Sequence, residues 1–144
     1  MPKQIVISEL GGPEVLKYQN YDLPSNIKNN EVRIKHTAIG LNYIDTYHRS
    51  GIYPLPSTLP VCPGLEAAGE VIDIGVNVKA FKIGDRVAYA SPPMGAYCDI
   101  RDFPENKLIK IPNFLKNDDV ASILLQGMTV EYLFERLYKI QKNE

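Results

Sequence analysis

Metal ligands are scarce in this chain, whose 144 residues include two cysteines and two histidines. Catalytic zinc needs three protein ligands drawn from cysteine, histidine or carboxylate. His36 sits in a strand-like run and His48 in Tyr47-His48-Arg49, with no H-x-x-x-H spacing and no cysteine within a few positions of either. Both imidazoles are expected to be structural or surface groups, and no metal is expected. Cys62 and Cys98 stand apart instead of forming a C-x-x-C pair, which removes the zinc-knuckle and thioredoxin-type readings. Both are expected to be plain reduced thiols.

Charge of one sign is also lacking. Sixteen basic against seventeen acidic side chains leave a net charge of −1, too balanced for generic binding to nucleic acid or anionic membranes. No apolar run approaches the roughly 20 residues that span a bilayer, and the start Met1-Pro2-Lys3-Gln4-Ile5-Val6-Ile7 is too short in apolar length for a secretory signal. A cytoplasmic location with no nucleic-acid or membrane partner is the expectation. No G-x-G-x-x-G occurs, so this chain alone has no dinucleotide fingerprint. Gly64 to Gly69 has the glycine spacing of a P-loop, but Glu70 stands where the lysine must be and would repel phosphate.

What is present is an ordinary globular composition, 44% apolar and 23% charged, in a length suited to one domain with an appendage. Dense glycine and proline punctuation through residue 111 separates short strand-like runs at Lys3 to Ser8, Val15 to Tyr21, Glu31 to Ile39, Ala67 to Ile74, Asp85 to Ala90, Gly95 to Ile100 and Lys107 to Ile111. So many short strands predict a barrel or sandwich. Glu31 to Ile39 alternates most clearly, with Val32, Ile34, His36 and Ala38 on one face. After Pro112 the period changes. Asp118-Asp119 start a helix carrying Val120, Ile123 and Leu124, and Gly127 is expected to interrupt it. A second helical stretch follows with Val130, Leu133, Phe134 and Leu137 on one stripe and a Glu135 to Lys139 pair on the wet face. That stripe either packs on the barrel or belongs to the first helix of a following domain. Lys139 to Glu144 reads as a linker.

The segment Asn42-Tyr43-Ile44-Asp45-Thr46-Tyr47-His48-Arg49-Ser50-Gly51-Ile52-Tyr53, followed by Pro54, Pro56, Pro60 and Pro63, concentrates polar and aromatic groups. Phenols flanking a proline-stiffened loop suit a planar ligand that accepts hydrogen bonds. The alternative is that Tyr47 and Tyr53 cover the core with their hydroxyls in water, which composition alone favours.

Several ordered motifs resemble those of one family: Gly11-Gly12-Pro13-Glu14-Val15-Leu16, Ala38 through Tyr47, Arg49 through Tyr53, Pro63 through Gly69, Gly84-Asp85-Arg86-Val87, Gly95-Ala96-Tyr97 and Leu125 through Val130. Together they resemble the zinc-independent quinone oxidoreductase (zeta-crystallin-like) branch of the medium-chain dehydrogenase/reductase superfamily. The resemblance implies a mainly β (α+β) chain. Residues 1–116 would form the N-terminal part of a GroES-like, partly open β-barrel catalytic domain, and 117–144 connecting helices and a linker toward an absent Rossmann domain. Zinc-dependent relatives carry cysteine where Asn42 stands and histidine where Leu65 stands, and their four-cysteine lobe has no counterpart around Ser91 to Tyr97. By the same resemblance, Asn42, Tyr43, Ile44 and Asp45 approach the nicotinamide end of NADPH, and Thr129 contacts it from the following helix. Tyr47 and Tyr53 line the pocket for a quinone or other planar carbonyl substrate, with Tyr47 the better proton relay. Glu66 and Asp45 could support the site from behind, a buried structural carboxylate being the preferred reading of Glu66.

The implied activity is hydride transfer from NADPH to a quinone, requiring a Rossmann-containing C-terminal half as partner; a homodimer is one assembly open to a full-length member. Two alternatives stand beside it: a non-enzymatic remnant or partner-binding module, and, among enzymes, a zinc-free enoyl reductase.

Overall fold

The computed structural model describes residues 1–138, 140 and 141. Lys139 and residues 142–144 lie outside it, and with them the Glu135 to Lys139 pair and most of the expected linker. Strands β1 (Lys3–Val6) and β2 (Lys17–Asn20) form an antiparallel pair. Strands β3 (Glu31–Gly40), β4 (Glu66–Ile74), β5 (Arg86–Ala90), β6 (Ile100–Pro104) and β7 (Ile109–Lys110) form an antiparallel sheet in the order β6-β3-β4-β5-β7. Its end strands do not pair with each other, so the barrel is open. Bridges from Gln4 to Cys98 and from Ile7 to Val61 attach the N-terminal hairpin.

The alternation in β3 holds. Val32 and Ile34 are buried, His36 and Ala38 half-buried, and Lys35, Thr37 and Ile39 exposed. The buried side joins Val71 and Val87 in a core where the Tyr89 and Phe103 rings stack 4.0 Å apart. Arg33, on the other side, makes a bidentate pair with Asp102 across β3 and β6 (2.7 and 2.9 Å).

The local reading is corrected at five places. The strand expected at Gly95 to Ile100 starts only at Ile100, because the preceding amides leave the ladder: Ala96 N–H donates to Gly64, Tyr97 to Pro63 and Asp99 to Lys3. Val15 to Tyr21 narrows to β2 because Pro13–Val15 coils as a 3-10 turn, and Lys107 to Ile111 narrows to β7 after a second such turn, Glu105–Lys107. The run from Tyr43 to Ser50 is a helix, α1, for which no helix was expected. Gly127 does not interrupt helix α2 (Asn117–Glu131), which passes into a π-helical turn at Tyr132–Leu137. An exposed helical glycine costs only about 1 kcal/mol relative to alanine, too little to stop a helix held elsewhere.

Elsewhere means the first half of α2, where Val120 and Ala121 pack on Ala68, Ala88 and Ile111. Arg86 clamps its start, donating to Asn117 Oδ1 (2.9 and 2.6 Å) and to the Leu115 carbonyl. The stripe beyond Gly127 does not pack on the sheet: Val130, Leu133, Phe134 and Leu137 are 43–63% exposed. Among the described residues no helix is long and apolar enough to cross a membrane.

Strands β3 and β4 approach closely at Gly69, where a Cβ would collide with the Lys35 carbonyl oxygen and press on the His36 backbone. Gly69→Ala should therefore lower unfolding free energy by about 1–3 kcal/mol, as overpacking does. Urea denaturation checks this, and an unchanged midpoint would contradict the close approach.

Candidate active site

Helix α1 (Tyr43–Ser50) is defined by its ends. Asn42 is extended, and its N–H donates to Asp45 Oδ2 (3.0 Å), the side-chain-to-backbone half of a capping box. Gly51 closes the other end in the left-handed region (φ 81°), which glycine adopts without penalty. Between them the helix separates two faces, with Asp45 and His48 buried and Tyr43 and Tyr47 exposed.

The exposed face is aromatic. Tyr43 and Tyr47, one turn apart, have ring centroids 6.5 Å apart. Beyond Gly51 the chain folds back, the Tyr53 N–H donating to the Tyr47 carbonyl (3.2 Å), and the Tyr53 ring stacks on Tyr47 at 5.8 Å and 20°. The two expected substrate-pocket tyrosines are thus brought together, as neighbours on one surface. Tyr47 is 36% and Tyr53 52% exposed.

The loop before α1 is tied to β4 and α2 by one buried carboxylate. Glu66, 1% exposed, accepts from Asn42 Nδ2 (2.7 Å) and from the Leu125 backbone N–H (2.8 Å). Asn42 Oδ1 in turn accepts from Gln126 Nε2 (3.0 Å). The carboxylate can only accept, so the Asn42 amide has a single consistent orientation. Glu66 is the buried, hydrogen-bonded carboxylate that the sequence led us to expect.

Asp45, 3% exposed, accepts through Oδ2 from the Asn42 N–H and from the Tyr97 hydroxyl (2.9 Å), while its Oδ1 and the His48 Nδ1 are buried without a partner. Burial raises the Asp45 pKa above the usual aspartate value; the Asn42 N–H, the Tyr97 hydroxyl and His48 oppose that rise without cancelling it. Tyr97 is held above the ordinary phenol range by burial, then by the Asp45 charge.

Of the five expected cofactor-side residues, Asn42 and Asp45 have side chains engaged inside the protein, Ile44 is half-buried and Tyr43 is 81% exposed. Thr129 lies one turn beyond Leu125 on α2, exposed, its hydroxyl donating to the Leu125 carbonyl (2.9 Å). Toward a ligand this wall offers shape and ring faces more than free polar groups. Tyr97 and Gln126 were assigned no role from sequence. Both lie in motifs that carried the resemblance, but nothing local shows that Tyr97 would meet Asp45 or Gln126 meet Asn42. Among the described residues no group of three or more histidine, cysteine or acidic side chains could hold a metal ion.

An open antiparallel barrel with a capped helix beside it defines a class, and comparison with known proteins supplies the same one. The model of the alcohol dehydrogenase GroES-like domain matches residues 28–133, and the chain belongs to that family. Its similarity is to quinone oxidoreductases in particular. The Pseudomonas aeruginosa quinone oxidoreductase is 45% identical over all of this chain and 44% of its own length. The crystal structure of Escherichia coli quinone oxidoreductase complexed with NADPH has a TM-score of 0.94 at 40% identity, covering 99% of this chain and 43% of that one. A 2-haloacrylate reductase of a Burkholderia species is 40% identical over 96% of this chain and 43% of its own length. The chain thus spans less than half the length of these relatives.

The buried groups can be tested through stability. Glu66→Gln places an N–H where an acceptor is needed and should cost about 1–3 kcal/mol, as should Asn42→Asp, which sets two carboxylates together. The double variant, with donor and acceptor exchanged, should recover much of the loss in a double-mutant cycle of urea midpoints; strictly additive losses would disprove the pairing. For Asp45 the folded pKa lies above the unfolded one, so the folded state binds more protons between the two values and stability falls as pH rises through that window. Asp45→Asn keeps an acceptor for Asn42 and Tyr97 and should abolish that fall, which unfolding midpoints measured from just below the ordinary aspartate pKa to neutrality will show.

Proposed function

We propose that this chain is the N-terminal catalytic-domain portion of an NADPH:quinone oxidoreductase, inactive until a Rossmann-containing C-terminal half completes it. The observation that carries the reading is the exposed Tyr47–Tyr53 stack beside the Asn42 loop. NADPH, when bound, supplies the hydride. The chain's own residues bind and orient the acceptor: a planar quinone fits against the phenol faces, and a neutral Tyr47 hydroxyl donates a hydrogen bond to the carbonyl oxygen as negative charge develops there. Glu66 and Asn42 hold the loop that leads into the helix. Because their polar groups face inward, this wall has few hydrogen bonds to offer a nucleotide, each contributing about 0.5–1.5 kcal/mol against an association cost of about 4–15 kcal/mol. A second wall must provide the remainder. The open stripe Val130, Leu133, Phe134 and Leu137 is where a Rossmann-containing half would dock.

The similarity to a 2-haloacrylate reductase favours a second reading within the same chemistry, an activated alkene in place of the quinone.

The test is a titration of NADPH fluorescence and an assay of 1,4-benzoquinone reduction, with the chain alone and with a Rossmann-containing half added as a separate polypeptide. Turnover is expected only in the mixture. Steady reduction by the chain alone would overturn the proposal, and inactivity of the mixture with both halves folded would favour the remnant. In the active mixture, Tyr47→Phe should lower kcat about tenfold to a hundredfold and Tyr53→Phe less, both with unchanged circular dichroism. Replacing benzoquinone with 2-chloroacrylate decides between the two substrate readings.

A further inference from the structure

Apart from the tyrosines, the fold assembles a second set of reactive side chains around the two cysteines. Backbone bonds from Tyr97 N–H to Pro63 O (3.0 Å) and from Ala96 N–H to Gly64 O (3.0 Å) run the two segments antiparallel. The Cys62 thiol lies 3.4 Å from the carbonyl oxygen of Tyr97, the residue just before Cys98. Both thiols are free.

The groups around Cys98 are directional. Arg101 Nη1 donates to the Tyr89 hydroxyl (3.4 Å), which donates to His36 Nε2 (3.1 Å), while His36 Nδ1–H donates to the Cys98 carbonyl (2.7 Å). Guanidinium can only donate and a carbonyl can only accept, so neither end of this chain can reverse. His36 Nδ1 is also 3.9 Å from Cys98 Sγ. Hydrogen bonding from Cys62, opposed by burial and aided by His36 and Arg101, holds the Cys98 thiol below the ordinary range, and the Cys62 thiol is raised correspondingly. His36, 3.9 Å from the Cys98 sulfur, and Arg101 favour a thiolate on Cys98. Cys62 and Cys98 line one open cavity of about 420 Å³, together with Tyr21, Pro93 and Arg101.

We propose that Cys62 and Cys98 form a hydroperoxide-reactive dithiol site, in which Cys98 is the attacking sulfur and Cys62 the resolving one. The Cys98 thiolate attacks the terminal peroxide oxygen. An S–O bond forms, the O–O bond breaks, and the alkoxide or hydroxide leaves as alcohol or water after taking a proton. The sulfur becomes a sulfenic acid, oxidised by two electrons as the peroxide is reduced by two. Cys62 then attacks that sulfur. An S–S bond forms, the S–O bond breaks, and the departing hydroxide combines with the Cys62 proton as water. In sum, two thiols and one hydroperoxide give a disulfide, an alcohol or water, and water. The site is independent of the proposed quinone chemistry.

The test treats the purified chain with hydrogen peroxide, alkylates the remaining thiols in denaturant and reads intact mass and peptide maps. The expected product has lost the mass of two hydrogen atoms and contains a Cys62–Cys98 cross-linked peptide, at a rate per molecule that does not change with protein concentration. Cys62→Ser should stop at a sulfenic acid on Cys98 that dimedone traps, and Cys98→Ala should leave Cys62 about tenfold slower to oxidise. Thiols that remain fully alkylatable in the wild-type chain, or disulfides only between chains, would overturn the proposal. Because that outcome is read on the wild-type chain, it stands even if a cysteine variant fails to fold.

Discussion

A carboxylate buried to 1% exposure must be fully hydrogen-bonded or it destabilises the fold, and Glu66 makes that demand at the point where three elements meet. Its two oxygens take one bond from the loop before α1 and one from the backbone of α2. The Asn42 amide, oriented by that bond, presents its oxygen to Gln126 on α2. Changing the register of β4, the angle of α2 or the entry into α1 would break at least one of these contacts and leave charge unpaired. The arrangement holds the aromatic face of α1 in a fixed relation to the sheet.

From that constraint follows the division of labour on α1. Its inward face carries Asp45 and His48, and its outward face carries Tyr43 and Tyr47, with Tyr53 folded back onto the latter. Polar groups hold the backbone while the exposed rings remain available to a ligand. Tyr97 extends the network in the other direction, donating to Asp45 while its backbone pairs with Pro63. The segment that supports α1 is therefore the same one whose Tyr97 carbonyl meets the Cys62 thiol beside Cys98, so two chemically distinct regions share a short stretch of backbone.

Local pattern served well where local physics decides the outcome. The alternation from Val32 to Ala38 made β3 legible, and the acidic pair Asp118-Asp119 marked the start of α2. The Asn42, Asp45 and Gly51 signals for α1 were equally present. They were outweighed by the aromatic content of the segment, which reads as a ligand wall whatever its backbone does. Gly95 to Ile100 failed for the opposite reason: it has the composition of a strand, yet its amides find partners on the Pro63–Gly64 segment and at Lys3, outside any regular ladder.

By itself the sequence determined the places of six of the seven described strands, the balanced charge, the sparse supply of metal ligands and the ordered motifs that resemble quinone oxidoreductases. These are properties of composition or of neighbours within one turn or one strand. Only the tertiary structure decided that Glu66 meets Asn42 and Leu125, that Tyr53 stacks on Tyr47, that the stripe beyond Gly127 stays open and that two separated cysteines line one cavity. Each depends on where a sheet register, a bulge or a turn brings distant segments together. A shift of one residue there exchanges every partner while leaving the local pattern unchanged.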